Sequence, residues 1–284
     1  MLDTLTLEPI LMDRDGVRLA HYETGVTSRD RPPLVFINGW TGDHSIFSPQ
    51  IAYFAETHHV VAVNLRGHGA SDRPEQEYTI EGFADDIAWQ CRRLGLKKPV
   101  FIGHSMGGTI GLELSGRHQD LPSGLVLIDS IVMPPAALRE DERVKQFMAG
   151  IASADYLEFS RTSAWNNVGN FDDLSRRQAI FERYVLPSCE KTPQHVAYSA
   201  LKNWFFNHDP IPAAKSCTVP IAYIAADVPV TKEASDLDRL QELCPQVVIA
   251  QTLLAGHFST IEVSDQVNAM LDRFLAVGLS PSRR

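Results

Sequence analysis

The segment Gly103-His104-Ser105-Met106-Gly107 has the pattern G-x-S-x-G, which can present a serine as a nucleophile. An apolar run precedes it and a helix rich in small residues follows it, so the serine would lie on a sharp turn between a strand and a helix. Gly103 and Gly107 leave room for neighbouring backbone in such a turn. The N–H groups at the start of the helix favour the negative charge that develops when a serine attacks a carbonyl. The pattern therefore predicts nucleophilic catalysis by Ser105.

A serine hydroxyl needs a base, and the chain has ten histidines. His104 directly precedes Ser105, and on a sharp turn its side chain would point away from the serine. His68 lies in a turn after the second apolar run, where a structural hydrogen bond is expected. His257 follows the last apolar run and belongs to the same sheet edge as Ser105, because parallel strands all end at one edge. His257 is therefore the predicted base.

The base in turn needs an acid that fixes its tautomer and stabilises the imidazolium. Asp129 and Asp227 each end an apolar run at the same edge of the sheet. Both precede His257, so the chain order serine, aspartate, histidine holds with either of them. The residues alone leave both aspartates open as the acid.

These side chains must be positioned by a mostly parallel, doubly wound sheet. Short apolar runs that end at glycine, asparagine or aspartate predict buried strands, and helical spacing between them predicts helices on both faces. An antiparallel hairpin, Leu5–Leu11 and Val17–Glu23, is expected at one edge. The expected strands of the sheet are Leu34–Ile37, Val60–Leu65, Val100–Ile102, Leu125–Ile128, Ile221–Ile224 and Val247–Ala250, and the expected helices are Ile80–Leu94, Thr109–Arg117, Thr231–Leu243 and Val263–Phe274.

Residues 131–215 interrupt this alternation. They hold several helical patterns, no convincing strand and many aromatic residues. Because long structureless connections are rare in compact domains, we expect a folded helical cap over 131–215 and a core formed by 1–130 and 216–284. Trp204 and Phe205 are the cap residues expected to line a substrate pocket; packing within the cap itself is the alternative for both.

The composition excludes several classes of protein. Of 284 residues, 44% are hydrophobic and 21% charged, which excludes a disordered or fibrous chain. The net charge of -9 argues against binding to nucleic acid or to an anionic membrane surface. The first residues lack the pattern of a signal peptide and no apolar stretch approaches ~20 residues, so a cytoplasmic protein without a membrane span is expected. No CxxC or HExxH spacing occurs, so no metal and no cofactor are expected; a homodimer is an assembly that the sequence allows.

Together these motifs resemble the α/β-hydrolase family over nearly the whole chain. In that family the acid usually follows the strand before the last, at the position that Pro229 occupies here, and Asp227 comes too early in the turn. A minority of members place the acid at the end of the preceding strand, where Asp129 stands. The resemblance therefore favours Asp129 over Asp227.

The resemblance also implies an oxyanion hole formed by two main-chain N–H groups. One belongs to Met106, directly after the serine, and the other to Trp40 in the loop Asn38-Gly39-Trp40. Asn38 replaces a histidine that is usual in the family, which leaves the hole intact and alters what supports it. Trp40 would also bring an apolar face to the substrate.

Two groups of the family share this loop or this acid placement. The loop from Gly39 to His44 is similar to that of cofactor-independent 2,4-dioxygenases, although Gly42 and Met106 stand where those enzymes carry histidines. Hydrolases of small amides in the breakdown of pyridine compounds share the position of Asp129. The sequence therefore predicts a serine hydrolase that cleaves an ester or amide bond of a small, polar or heteroaromatic molecule through an acyl-enzyme. Dioxygenation of a hydroxy-oxoquinoline, hydrolysis of a C–C bond and a non-enzymatic receptor role are the alternatives.

Overall fold

The computed structural model describes residues 7–134, 136–169, 173–227 and 237–279. Eight strands form one sheet in the order β1-β2-β4-β3-β5-β6-β7-β8, in which β1, β2 and β4 pair antiparallel and all other neighbours pair parallel. The expected fold class, a mostly parallel sheet with helices, is confirmed. The strands are β1 Ile10–Arg14, β2 Val17–Gly25, β3 Leu34–Ile37, β4 His59–Val63, β5 Val100–His104, β6 Gly124–Ile128, β7 Ile221–Ala225 and β8 Val247–Gln251.

The first strand of the hairpin, β1, lies further along the chain than the predicted strand Leu5–Leu11. Asp15 and Gly16 form the turn of the hairpin with φ angles of 56° and 83°. Two successive residues with positive φ make a tight hairpin turn whose twist matches that of the strands, so this Asp-Gly pair sets the register. Residues 1–6 lie outside the described part of the chain.

Apolar side chains of the strands alternate between two layers, because successive residues of a strand face opposite sides of the sheet. Val35 and Ile37 pack in one layer, and Leu34 and Phe36 pack in the other. Helices cover both layers. They are α1 Ser48–Ala55, α2 Ile80–Arg93, α3 Met106–Arg117, α4 Glu142–Ala152, α5 Tyr156–Asn167, α6 Leu174–Ile180, α7 Leu186–Lys191, α8 Gln194–Lys202, α9 Ile211–Ser216, α10 Leu237–Leu243, α11 Ser259–Glu262 and α12 Ser264–Arg273.

The last strand departs from the expectation of a strand buried on both faces. Val248 and Ile249 in β8 are 48% and 40% exposed. β8 is the final strand in the sheet order, with β7 as its neighbour. It is therefore an edge strand, although its sequence is a run of apolar residues. The predicted helix Thr231–Leu243 begins among residues 228–236, which lie outside the described residues; its second half is α10.

Among its described residues, the chain between β6 and β7 contains helices joined by short turns and no strand. It contains α4 to α9, a 3-10 turn at Ala136–Glu140 and π-helical turns at Phe181–Val185 and Asn203–Asn207. The predicted boundary at 215/216 falls inside α9, where Gly116 of α3 lies against the backbone of Ala213. The division into a core and a cap stays a prediction; hereafter the helical segment means residues 131–215.

No helix among the described residues is both long and apolar enough to cross a membrane. The four cysteines are buried and carry free thiols.

Candidate active site

Ser105 occupies the turn between β5 and α3 with φ 56° and ψ -125°. Only glycine adopts such angles without strain, which costs other residues on the order of 1–3 kcal/mol. The turn is tight on both sides: a Cβ at Gly107 would lie 2.6 Å from the carbonyl oxygen of Asn38, and one at Gly103 would lie 2.5 Å from the nitrogen of Gly108. The Ser105 N–H donates to the carbonyl of Ile128 on β6 at 2.9 Å, so the neighbouring strand holds the strained turn in place.

The loop after β3 lies directly against this serine. A Cβ at Gly39 would lie 2.9 Å from the Cβ of Ser105. Buried Asn38 supports the loop, because its Nδ2 donates to the carbonyls of Gly39 at 3.0 Å and Gly42 at 2.8 Å. Its Oδ1 accepts from the N–H of Leu65 at 3.3 Å. An asparagine thus satisfies both its donor and its acceptor where the family usually has a histidine.

The loop after β3 positions Trp40, and the turn between β5 and α3 positions Met106. Trp40 follows Gly39 in the loop, and Met106 is the first residue of α3. The first N–H groups of a helix have no partner within the helix and therefore remain available to an anion.

His257 contacts Asp129. The imidazole Nδ1 lies 2.6 Å from Oδ2 of Asp129, and because a carboxylate only accepts, Nδ1 carries the proton. The other carboxylate oxygen accepts from the N–H of Ala226 at 3.0 Å. Burial alone would raise the pKa of Asp129, but the hydrogen bonds from His257 and Ala226 and the charge of His257 outweigh it and hold the pKa below its usual value. With Nδ1 bonded to the buried carboxylate of Asp129, Nε2 of His257 is the nitrogen that can accept a proton in the neutral imidazole.

The carboxylate of Asp227 contacts a different residue. Asp227 is exposed, and its Oδ1 accepts from Nε2 of Gln251 at 3.2 Å. Pro229, which stands at the family's usual acid position, lies outside the described residues. Of the two aspartates that the sequence left open, the structure brings Asp129 to His257.

The other two candidate histidines have structural partners. Nε2 of His104 donates to the main-chain carbonyl of His257 at 2.7 Å, and the centroids of the two imidazole rings are 4.6 Å apart. Complete burial, with a smaller contribution from the charge of His257, lowers the pKa of His104 to about 3, so it stays neutral. His68 bonds the carbonyl of Arg66 at 3.0 Å, and burial lowers its pKa to about 4.

Ser105 and His257 line one cavity of about 370 Å³ between the sheet edge and the helical segment. Its wall includes the aromatic side chains predicted to bind substrate. Nε1 of Trp40 donates to the carbonyl of Ala197 at 2.8 Å, and Nε1 of Trp204 donates to Oγ1 of Thr109 at 3.1 Å. Trp204 stacks on Phe205 at 4.8 Å between ring centroids. Because both indole N–H groups have protein partners, the tryptophans can offer a ligand only their ring surfaces.

Several lining residues were not found from the sequence. Phe147 lies 5.7 Å from Trp40 between ring centroids, and the ion pair of Asp141 and Arg143, at 2.7 Å, also borders the cavity. Helical periodicity marks a buried face without showing whether that face meets a neighbouring helix or a cavity, so no sequence signal distinguished them. The uncharged polar members of the wall from the helical segment are Ser160, Ser163, Asn167 and Ser188.

Within the four described ranges, no cluster of three or more His, Cys, Asp or Glu side chains is arranged to hold a metal ion. The buried thiols of Cys91, Cys217 and Cys244 have pKa values raised by burial, to about 12 for the first two and about 11 for Cys244.

A family model described as alpha/beta hydrolase fold matches residues 32–262, most of the chain. The chain belongs to the α/β hydrolase fold family. This confirms the expected resemblance. The solved structure of the enol-lactonase from Burkholderia xenovorans LB400 is similar, with a TM-score of 0.80 at 22% identity over 94% of this chain and 100% of that chain, which shows the shared fold.

Two curated relatives of this α/β hydrolase fold protein carry informative names. A 2-(acetamidomethylene)succinate hydrolase of Mesorhizobium japonicum is 34% identical over 98 residues, 34% of this chain and 35% of that protein. The 3-oxoadipate enol-lactonase 2 of Acinetobacter baylyi is 26% identical over 96% of this chain and 97% of its own length. The chain spans 35% of the Mesorhizobium protein and 59% and 62% of two further relatives. The first similarity fits the resemblance to small-amide hydrolases.

Proposed function

We propose that this protein is a serine hydrolase that cleaves an ester or amide bond of a small molecule. The observation that carries the proposal is the 2.6 Å hydrogen bond from His257 to buried Asp129, at a cavity that strained Ser105 also lines. An acid that fixes the imidazole tautomer, a base and a nucleophile at one cavity are the parts that acyl transfer requires.

In the proposed reaction, Nε2 of His257 takes the proton of the Ser105 hydroxyl as the oxygen attacks the substrate carbonyl. The N–H groups of Trp40 and Met106 bind the oxyanion that forms. The protonated imidazole, stabilised by the carboxylate of Asp129, gives its proton to the leaving alcohol or amine, and an acyl-enzyme remains. Water then attacks the acyl group with His257 again as base, which releases the acid and restores the serine.

The cavity supports a small substrate with a planar apolar or heteroaromatic part. The faces of Trp40, Phe147, Trp204 and Phe205 favour a flat apolar group. The side-chain oxygens of Ser163, Asn167 and Ser188 can accept hydrogen bonds from polar substituents, whereas Nδ2 of Asn167 and the Ser188 hydroxyl already donate to main-chain carbonyls. The names of the relatives, which include an acetamido compound and an enol lactone, agree with a small carbonyl substrate.

Labelling by a fluorophosphonate tests the proposal. We expect one stoichiometric adduct on the peptide that contains Ser105, together with turnover of short p-nitrophenyl esters or anilides. A panel of hydroxy-oxoquinolines with an oxygen electrode, and a panel of diketones, should show no turnover. Oxygen uptake would replace the proposal with a dioxygenase and diketone cleavage with a C–C hydrolase, while neither labelling nor turnover would indicate a binding protein.

A further inference from the structure

Glu262 is a buried carboxylate that bonds to the backbone on both sides of His257. It ends α11, five residues after the histidine, and is 1% exposed. Its Oε1 accepts from the N–H of Phe258 at 3.3 Å, and its Oε2 accepts from the N–H of Gly256. The carboxylate therefore holds the residues directly before and directly after His257.

The same carboxylate also reaches the helical segment. Oε1 accepts from the N–H of Gly169, just beyond α5, at 3.0 Å. A Cβ at Gly169 would lie 2.5 Å from Oε2 of Glu262 and 2.9 Å from the nitrogen of Gly256, so the contact requires a glycine. Close by, the N–H of His257 donates to the carbonyl of Asn167 at 3.0 Å. Residues 167–169 and the loop of His257 are thus joined through the main chain and one side chain.

Burying the charged carboxylate of Glu262 costs folding free energy. Burial raises the pKa of Glu262, and the hydrogen bonds from Gly169, Gly256 and Phe258 and the charge of His257 only partly offset it. A buried charge is tolerated where its oxygens are well bonded, and removal of a bonded oxygen leaves N–H groups without partners. Such networks rigidify the segment they hold.

We propose that Glu262 is a positioning residue for His257: through the N–H groups of Gly256 and Phe258 it fixes the imidazole between Asp129 and Ser105, and through Gly169 it ties that loop to the helical segment. The inference rests on the proposed role of His257 as base. Glu262 acts through the base alone, because it does not line the cavity among the described residues.

The expected consequence is a loss of turnover without a loss of substrate binding. An error of about 1 Å in the placement of a catalytic group can reduce the rate about 100-fold. Replacing Glu262 by glutamine keeps the size of the side chain but turns one acceptor oxygen into an NH2 group, which cannot accept from the main chain. We expect E262Q to lower kcat about 10- to 100-fold with little change in KM.

Glu113→Gln is the matched control. Glu113 is also buried, at 6% exposure, and it lies two turns into α3, away from the cavity lining. Burial raises its pKa to about 7, so E113Q makes the same chemical change at a similar buried carboxyl. We expect kcat and KM of E113Q to match those of the parent.

A second readout does not depend on activity. The proton between His257 Nδ1 and Asp129 should give a low-field proton NMR signal, assigned by its absence in His257→Ala. We expect the signal to broaden or shift in E262Q and to persist in E113Q. If the parent neither labels at Ser105 nor hydrolyses esters, the proposed function fails, while this signal still tests the positioning role.

An unchanged kcat and an unchanged signal in folded E262Q would overturn the inference, and so would a change in KM alone. If E262Q does not fold, Gly169→Ala tests the same contact from its other partner with Glu262 intact; the same loss of kcat at constant KM is expected. Failure of both variants to fold would assign the contact to stability and likewise overturn the positioning role.

Discussion

The sheet edge and the helical segment differ in how they use backbone strain. At the edge, Thr41, Ser105 and Asp129 have φ angles of 55°, 56° and 44°. In residues 136–169 and 173–215 of the helical segment, no residue other than glycine has a positive φ. Strain persists only where the surrounding structure holds it, and it concentrates where chemistry needs one geometry. The sheet edge therefore fixes the positions of the reacting groups, whereas helices without such strain form the opposite wall of the cavity.

From this comparison, the largest effect is expected for a substitution at the sheet edge that removes the nucleophile. Ser105→Ala keeps the Cβ in the same strained turn and removes only the hydroxyl, so hydrolysis should fall by several orders of magnitude with no change in unfolding free energy. Steady-state ester hydrolysis and a urea denaturation curve measure the two. Substantial residual activity would remove Ser105 from the proposed mechanism.

The next largest effect is a difference in kcat between substitutions of the two aspartates at the edge. Asp129→Asn changes the partner of His257 Nδ1 and is expected to lower kcat about 10⁴-fold, because the imidazole takes the wrong tautomer. Asp227→Asn is the matched control, since its carboxylate contacts Gln251 and is exposed. The kcat values of both variants are compared with that of the parent. A large loss of kcat in D227N, together with an unchanged kcat in D129N, would assign Asp227 as the acid in place of Asp129.

A substitution in the helical segment should act on binding instead. Trp204→Leu removes a ring surface of the cavity and is expected to raise KM about 10-fold for aryl esters, a loss of about 1.4 kcal/mol, with kcat nearly unchanged. Trp165→Leu is the control, because Trp165 packs on Phe181 in the same segment and is not among the lining residues described. An equal effect of both variants would contradict a binding role for Trp204.

The last effect concerns the stability of the edge at low pH and leaves turnover aside. The pKa of His104 is about 3 in the folded chain and 6.5 in its ordinary state, so the unfolded chain binds a proton that the folded chain does not. Its stabilisation is present above about pH 6.5 and declines toward pH 3, by about 1.4 kcal/mol per pH unit for one proton. His104→Gln should reduce the slope of unfolding free energy against pH by that amount between about pH 6 and 4. An identical slope in H104Q would show that His104 titrates normally when folded.

Much of the sheet could be predicted because its strands are short, continuous apolar runs. Leu34–Ile37 matches β3 without change, and the other parallel strands differ by one or two residues at their ends. The helices were harder to bound: the helical patterns within 131–215 did not show that α8 continues into a π-helical turn at Asn203–Asn207, because periodicity does not register a local change of hydrogen bonding. The exposure of β8 was missed, since an apolar run does not show whether a neighbour covers it.

At the site, local sequence determined the serine turn and its glycines, because a strained turn between a strand and a helix depends on the few residues within it. Local sequence also placed Asp129, Asp227 and His257 at strand ends. The tertiary structure decided which aspartate contacts the histidine and which helical side chains line the cavity. It also revealed the carboxylate of Glu262 around the histidine loop. Those contacts join residues up to 157 positions apart, as between Trp40 and Ala197, and only the packing of the sheet and the helices brings such residues together.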